Sequence, residues 1–158
     1  MKNASRLPGV LRLSVWLCCL FLSSATSAWA AEYSVRFGEL GGHDNKTLVP
    51  AITLKMCERS TGYRYQLEVV SPGGKSFDYN WVMTIPAPPA KLSYETAISS
   101  SGHGQQIKAK PMHATGRAAY TFWFDKGDPL GRYRLEVFVQ KSLVKTISFN
   151  VVAASHCP

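Results

Sequence analysis

Two segments of this sequence alternate apolar and polar residues too regularly to be anything but strands. Tyr63 to Val69 reads YRYQLEV, and Arg132 to Val139 reads RYRLEVFV. Successive side chains of an extended strand point to opposite faces, so period two marks a strand with one face buried. Tyr63, Tyr65, Leu67 and Val69 take one side of the first run, and Arg64, Gln66 and Glu68 the other. In the second, Tyr133, Leu135, Val137 and Val139 point inward. Tyr33 to Phe37 and Ala118 to Phe124 alternate in the same way, the latter through Tyr120, Phe122 and Phe124. Ala51 to Glu58 and Leu143 to Val152 also read as strands, with Leu143, Ile147, Phe149 and Val151 on one face. No segment shows the 3.6-residue period of an amphipathic helix.

Turn chemistry separates these runs. Gly41-Gly42-His43-Asp44-Asn45, Ser71-Pro72-Gly73-Gly74, Asp125-Lys126-Gly127-Asp128-Pro129 and Gln140-Lys141-Ser142 each fall between two of them. Glycine and proline permit or preset the backbone angles that turns require. Trp81 to Ile85 is less regular and ends in Pro86-Ala87-Pro88-Pro89, which leaves the ladder because proline has no donor. Ser99 to Lys110 is polar and glycine-containing and reads as a loop. About seven short strands in one domain-sized chain predict an all-β fold of two packed antiparallel sheets. A small β-barrel is the alternative.

The N-terminus has a different character. Met1 to Arg12 carries Lys2, Arg6 and Arg12 and no acid, Leu13 to Leu22 is apolar, and a small-residue stretch ends in Ala28-Trp29-Ala30. A basic start, a short apolar run and an A-x-A site make a secretory signal peptide. The apolar run is half the roughly twenty residues a membrane span needs. Residues 1–30 are therefore expected to be a cleaved signal, residues 31–158 a single domain, and the destination the periplasm or the exterior. Cleavage lowers the formal charge from +8 to +5. The remaining basic residues are scattered, which argues against nucleic acid as a partner. They leave anionic glycans and lipid head groups as surface partners, without stable membrane insertion after cleavage. Cys18 and Cys19 leave with the signal, and Cys57 and Cys157 remain. Two cysteines in an oxidising compartment predict one disulfide.

The segment Asp128-Pro129-Leu130-Gly131-Arg132-Tyr133-Arg134-Leu135-Glu136-Val137 resembles the tyrosine-corner entry of fibronectin type III and related immunoglobulin-like domains. The hairpin from Gln140 to Val151 is similar to the closing hairpin of bacterial extracytoplasmic immunoglobulin-like modules. The resemblance covers about thirty residues. It implies an Ig-like β-sandwich in which the hydroxyl of Tyr133, early in its strand, bonds back to the backbone. The cysteines do not follow the antibody pattern, and a shared fold carries no site with it.

Alternation within the Ala51 run puts Ile52, Leu54 and Met56 on one face and Cys57 on the other. The expected bridge therefore ties the C-terminal tail to the outside of the sandwich. No nucleophile elbow, zinc-protease helix or phosphate loop is present, so no catalytic residue is assigned and no cofactor is expected. His103, Met112 and His113 offer imidazole and thioether ligands for copper, but without ligand spacing. Trp123 is out of register with Tyr120, Phe122 and Phe124, and Phe138 with Leu135, Val137 and Val139. If their strands are neighbours, Trp123 and Phe138 form an exposed patch near Arg134. Exposed aromatics beside an arginine are typical of protein-binding surfaces. The expected function is a non-enzymatic periplasmic or secreted binding or assembly module with a protein partner. A periplasmic copper-binding protein and a small secreted hydrolase are the alternatives.

The signal assignment predicts that exported protein begins at Ala31, within a residue or two. Intact-mass measurement of the exported chain checks this, and a mature species that retains Cys18 would refute it.

Overall fold

The computed structural model describes residues 33–41, 47–89, 96–101 and 104–157; the expected signal over residues 1–30 lies outside them. Eleven strands occur among the described residues: β1 (Ser34–Gly41), β2 (Thr47–Pro50), β3 (Thr53–Met56), β4 (Tyr65–Val70), β5 (Ser76–Ile85), β6 (Thr96–Ser101), β7 (Gly104–Ala109), β8 (Met112–Thr115), β9 (Arg117–Phe122), β10 (Gly131–Val139) and β11 (Ser142–Ala153). A small sheet has the order β2-β1-β4-β9. A large sheet has the order β3-β11-β10-β5-β7-β6, with β8 also paired to β5. Neither sheet closes, so the architecture is a β-sandwich and the barrel alternative is excluded.

Side chains from both sheets fill one core. Phe37, Tyr65, Leu67, Val69 and Phe122 come from the small sheet, and Phe77, Trp81, Leu135, Val137 and Phe149 from the large one. Aromatic contacts show how the layers lie on each other. Tyr120 of β9 meets Trp81 of β5 at 5.2 Å, while Phe124, just beyond β9, meets Tyr133 of β10 at 6.5 Å. The chain from β9 onward thus passes across the strands of the opposite sheet, from β5 toward β10.

The chain changes sheet between β2 and β3. Gly38 of β1 pairs with Pro50 at the end of β2, where the backbone turns away toward the large sheet. There β3 runs parallel to β11, Leu54 opposite Val151. A Cβ on Gly38 would collide with the Val49 carbonyl and lie 2.8 Å from Pro50 Cα. Glycine is needed here for close backbone approach.

Several expectations are corrected. Ser99–Lys110 is not a loop: residues 96–101 and 104–109 form the β6–β7 hairpin, Ile98 opposite Ile107 and Ser99 opposite Gln106. Backbone pairing needs no apolar alternation, and here β6 at the margin and β7 inside it pair through mostly polar or small residues. Trp81 to Ile85 is the second half of β5, a ten-residue strand with β10 on one side and β7 and β8 on the other. Asn80 and Trp81 lie between the two ladders, opposite Ala109, Lys110 and Pro111. The extra residue is a bulge where proline cannot donate. A second irregularity, between Val137 and Phe138 opposite Lys145 and Leu143, shifts the register of β11. It leaves Leu143 exposed, and Val144 packs on the core instead.

The Ala51–Glu58 run also differs. Ile52 is 74% exposed, and Cys57 is fully buried in the core. The Cys57 amide bonds back to the Lys55 carbonyl at 2.9 Å, ending the strand in a tight turn that brings Cys57 inward. Cys57 and Cys157 are joined in a disulfide with Cα atoms 5.6 Å apart. The bridge therefore anchors the exposed tail to the core margin instead of lying on the outside.

Gly38→Ala is expected to destabilise the domain by about 2–4 kcal/mol, because the new methyl must displace strand backbone and not a pliable side chain. Ala119→Gly on the same outer face should cost about 1 kcal/mol or less. Thermal or urea melts of the two variants check the difference.

Candidate functional site

The residues expected to form a binding patch are divided by the fold. Trp123 follows β9 at the rim of the small sheet and is 37% exposed. Phe138 and Arg134 lie on β10, in the large sheet, and Phe138 is half-buried. Because β9 and β10 belong to different sheets, Trp123 and Phe138 are not neighbours on one surface. Arg134, Glu136 and Phe138 share the outer face of β10, and Arg134 donates to Glu136 at 2.7 Å. That arginine is half-exposed but already held by a carboxylate.

Tyr133, on the opposite face of β10, is buried, and its hydroxyl donates to the Pro129 carbonyl at 2.6 Å. This is the geometry of a tyrosine corner. Burial, with the nearby negative charge of Asp128, pushes the phenol above its ordinary value. Tyr133 is consequently a neutral donor and a structural residue.

Met112 and His113 are adjacent on β8 and so face opposite ways. Met112 packs against the core, whereas His113 is exposed and hydrogen-bonds Asp78 of β5 at 2.7 Å. His103 lies outside the described residues. No cluster of three histidines, cysteines or acids occurs among the described residues.

Sequence reasoning missed the sheet margins. β6 pairs with β7 on one side and has no strand on the other among the described residues. Its sequence, TAISSS, has no charge and no proline over six residues. Natural proteins protect edge strands with charge, proline, shortness or bulges, and the other margins follow that rule. β2 has four residues and ends in Pro50, and β3 has four with Lys55 among them. β8 has four and follows Pro111. β9 has six and opens on Arg117. Alternation of side chains carries no information about which strand ends a sheet, so this feature was invisible before the pairing was known.

A family model, the PM0630 beta sandwich domain, matches residues 34–152, which is nearly the whole described sandwich. The chain belongs to this family. No curated protein matches it. Among solved structures, an immunoglobulin-like protein from Pseudomonas aeruginosa is similar at 13% identity and a TM-score of 0.46, over 78% of this chain and 99% of that one. An uncharacterized protein from Bacillus anthracis matches at 10% identity and 0.38, over 65% and 76%. The alkylpurine DNA glycosylase AlkC of Pseudomonas fluorescens matches at 12% and 0.35, over 76% of this chain and 30% of that protein. The family assignment and the sheet topology together define an Ig-like β-sandwich.

Two substitutions test the placement of the aromatics. Phe122→Ala, which removes a buried ring stacked on Tyr65 at 5.1 Å, is expected to cost about 3–5 kcal/mol. Trp123→Ala at the rim should cost about 1 kcal/mol. Equal losses in urea titrations would place Trp123 in the core.

Proposed function

We propose that this protein is a non-enzymatic binding or assembly module, exported to the periplasm or the exterior, that recognises a protein partner by strand addition along β6. The observation that supports this reading is the outer edge of β6, which has no strand paired to it among the described residues. Six uncharged residues without proline offer a row of backbone donors and acceptors that an extended segment of another chain can pair with. Left exposed, such an edge is an aggregation hazard. The other margins of both sheets carry protective devices and β6 carries none, which fits an edge kept for a partner. Recognition then draws its affinity from backbone hydrogen bonds and its specificity from the alternate side chains of the added strand. Trp123, Phe138 and Arg134 become secondary to this edge, since the fold separates Trp123 from the other two.

Adjacent residues of an antiparallel strand present their N–H groups to opposite sides. One of Ser99→Pro and Ser100→Pro therefore removes a donor facing β7, and the other removes one facing the free edge. The free-edge variant is expected to fold normally and bind the partner about tenfold or more weakly, because a backbone hydrogen bond is lost and the proline ring adds a steric clash with the added strand. The partner would be crosslinked to the mature protein in extracts of its own cells, identified, and titrated against both variants. Full affinity in both well-folded variants would refute the edge as the interface.

A further inference from the structure

Beyond the β6 edge, the opposite layer of the sandwich carries a charge cluster with more positive charge than pairing its one carboxylate requires. The outer face of the small sheet is formed by Ser34, Arg36, Gly38 and Leu40 of β1, Leu48 and Pro50 of β2, Gln66, Glu68 and Val70 of β4, and Arg117, Ala119 and Thr121 of β9. Within these four strands, the outward charged residues are Arg36, Glu68 and Arg117. The Glu68 side chain is only 5% exposed, although it lies on an outward face. It accepts from Arg36 Nη1 at 3.4 Å through one oxygen and from Arg117 Nη2 through the other. Arg36 also donates to the Leu48 carbonyl at 3.2 Å.

A buried carboxylate must be paired, but one guanidinium balances its charge. Two are present, leaving a local surplus of one positive charge. Both are accessible, with side chains 49% exposed on Arg36 and 63% on Arg117. A guanidinium has five N–H donors in a planar fork. The bonds named occupy two on Arg36 and one on Arg117. The remaining donors are held in place by a shared buried anchor, so little freedom is lost when they bind.

We propose that this face is an oxyanion site, in which Arg36 and Arg117, positioned by Glu68, bind a phosphate group through their open guanidinium donors. The phosphate is carried on a phospholipid head group or is free in solution. Guanidinium forks match phosphate geometry, and charge-assisted bonds to it are the strong class. Arg117 has the more exposed guanidinium and forms the entry side of the site, and Arg36, tied to β1 and β2, is the fixed side.

The test uses the mature protein, inorganic phosphate in calorimetry, and vesicles of equimolar phosphatidylglycerol and phosphatidylcholine in sedimentation. Saturable binding to one of them is expected, about tenfold weaker in Arg117→Gln, as loss of a charge-assisted hydrogen bond implies. Arg117→Lys should weaken it too, because lysine keeps the charge and loses the fork. Lys145→Gln, which removes the same charge from the large sheet, should bind as the unaltered chain does. Vesicle binding that phosphate displaces at matched ionic strength identifies the head group, and phosphate binding without vesicle binding identifies the free ion. Binding of neither probe would overturn the site. So would equal losses in Lys145→Gln and Arg117→Gln, or full affinity in Arg117→Lys. Melting curves accompany every variant, and Arg36→Gln tests the site from the other side if the Arg117 variants do not fold.

Discussion

The structure depends on an aromatic seam between the two sheets, with Tyr65 at its centre. Tyr65 stacks on Phe122 at 5.1 Å and on Phe124 at 4.8 Å, and meets Phe37 edge-on at 5.7 Å. Phe149 of the large sheet closes against Phe37 at 4.8 Å and Tyr133 at 5.2 Å. Rings of this size dominate core energetics, and offset or edge-on contacts add to what burial supplies. The seam fixes how the layers sit, since β9 must cross the large sheet to carry Tyr120 to Trp81 and Phe124 to Tyr133. It has a polar cost. Trp81 Nε1 is buried with no hydrogen-bond partner among the described residues, and its indole stands edge-on to Tyr120 and Phe122 at 5.2 and 5.0 Å. Burial also holds the Tyr65 phenol neutral well beyond its ordinary range.

The parts of this fold legible in the sequence are those that a strand's own period controls. Tyr65, Leu67 and Val69, or Tyr133, Leu135, Val137 and Val139, announce their inward face because one side of their strand is buried from end to end. The failures have three separate causes. Irregularities shift the period locally: the slip opposite Val137 and Phe138 turns Leu143 outward, and the tight turn at Cys57 turns that side chain inward. Pairing can form strands that no pattern marks, as in the β6–β7 hairpin, whose residues are mostly polar or small. Finally, period two names a face of one strand but not the sheet it belongs to. Trp123 and Phe138 were each correctly out of register with their neighbours, yet β9 and β10 lie in different sheets.

That last limit applies equally to Glu68. Its position in YRYQLEV marks it as a solvent residue, and its face does look outward. Its burial comes from long side chains on two neighbouring strands, Arg36 opposite it on β1 and Arg117 diagonal to it on β9. Such a cluster exists only when β4 is flanked on both sides, a fact of topology. The same topology makes β4 central and β6 marginal, so the two candidate surfaces have different origins. The proposed oxyanion face is a product of a strand with two neighbours, and the proposed binding edge of a strand with one.

These surfaces lie on opposite layers, and that separation has a mechanical consequence. A strand added along β6 extends the large sheet in its own plane and leaves the outer face of the small sheet uncovered. A phosphate-bearing surface against Arg36 and Arg117 in turn leaves β6 accessible. Occupation of one therefore has no steric reason to exclude the other. Coupling between them would have to pass through the packed seam, where a side chain has little room to move without loss of contact. Under the two proposals, a protein strand and a phosphate would be held at once, each with its own affinity, in the manner of a rigid adaptor and not of a switch.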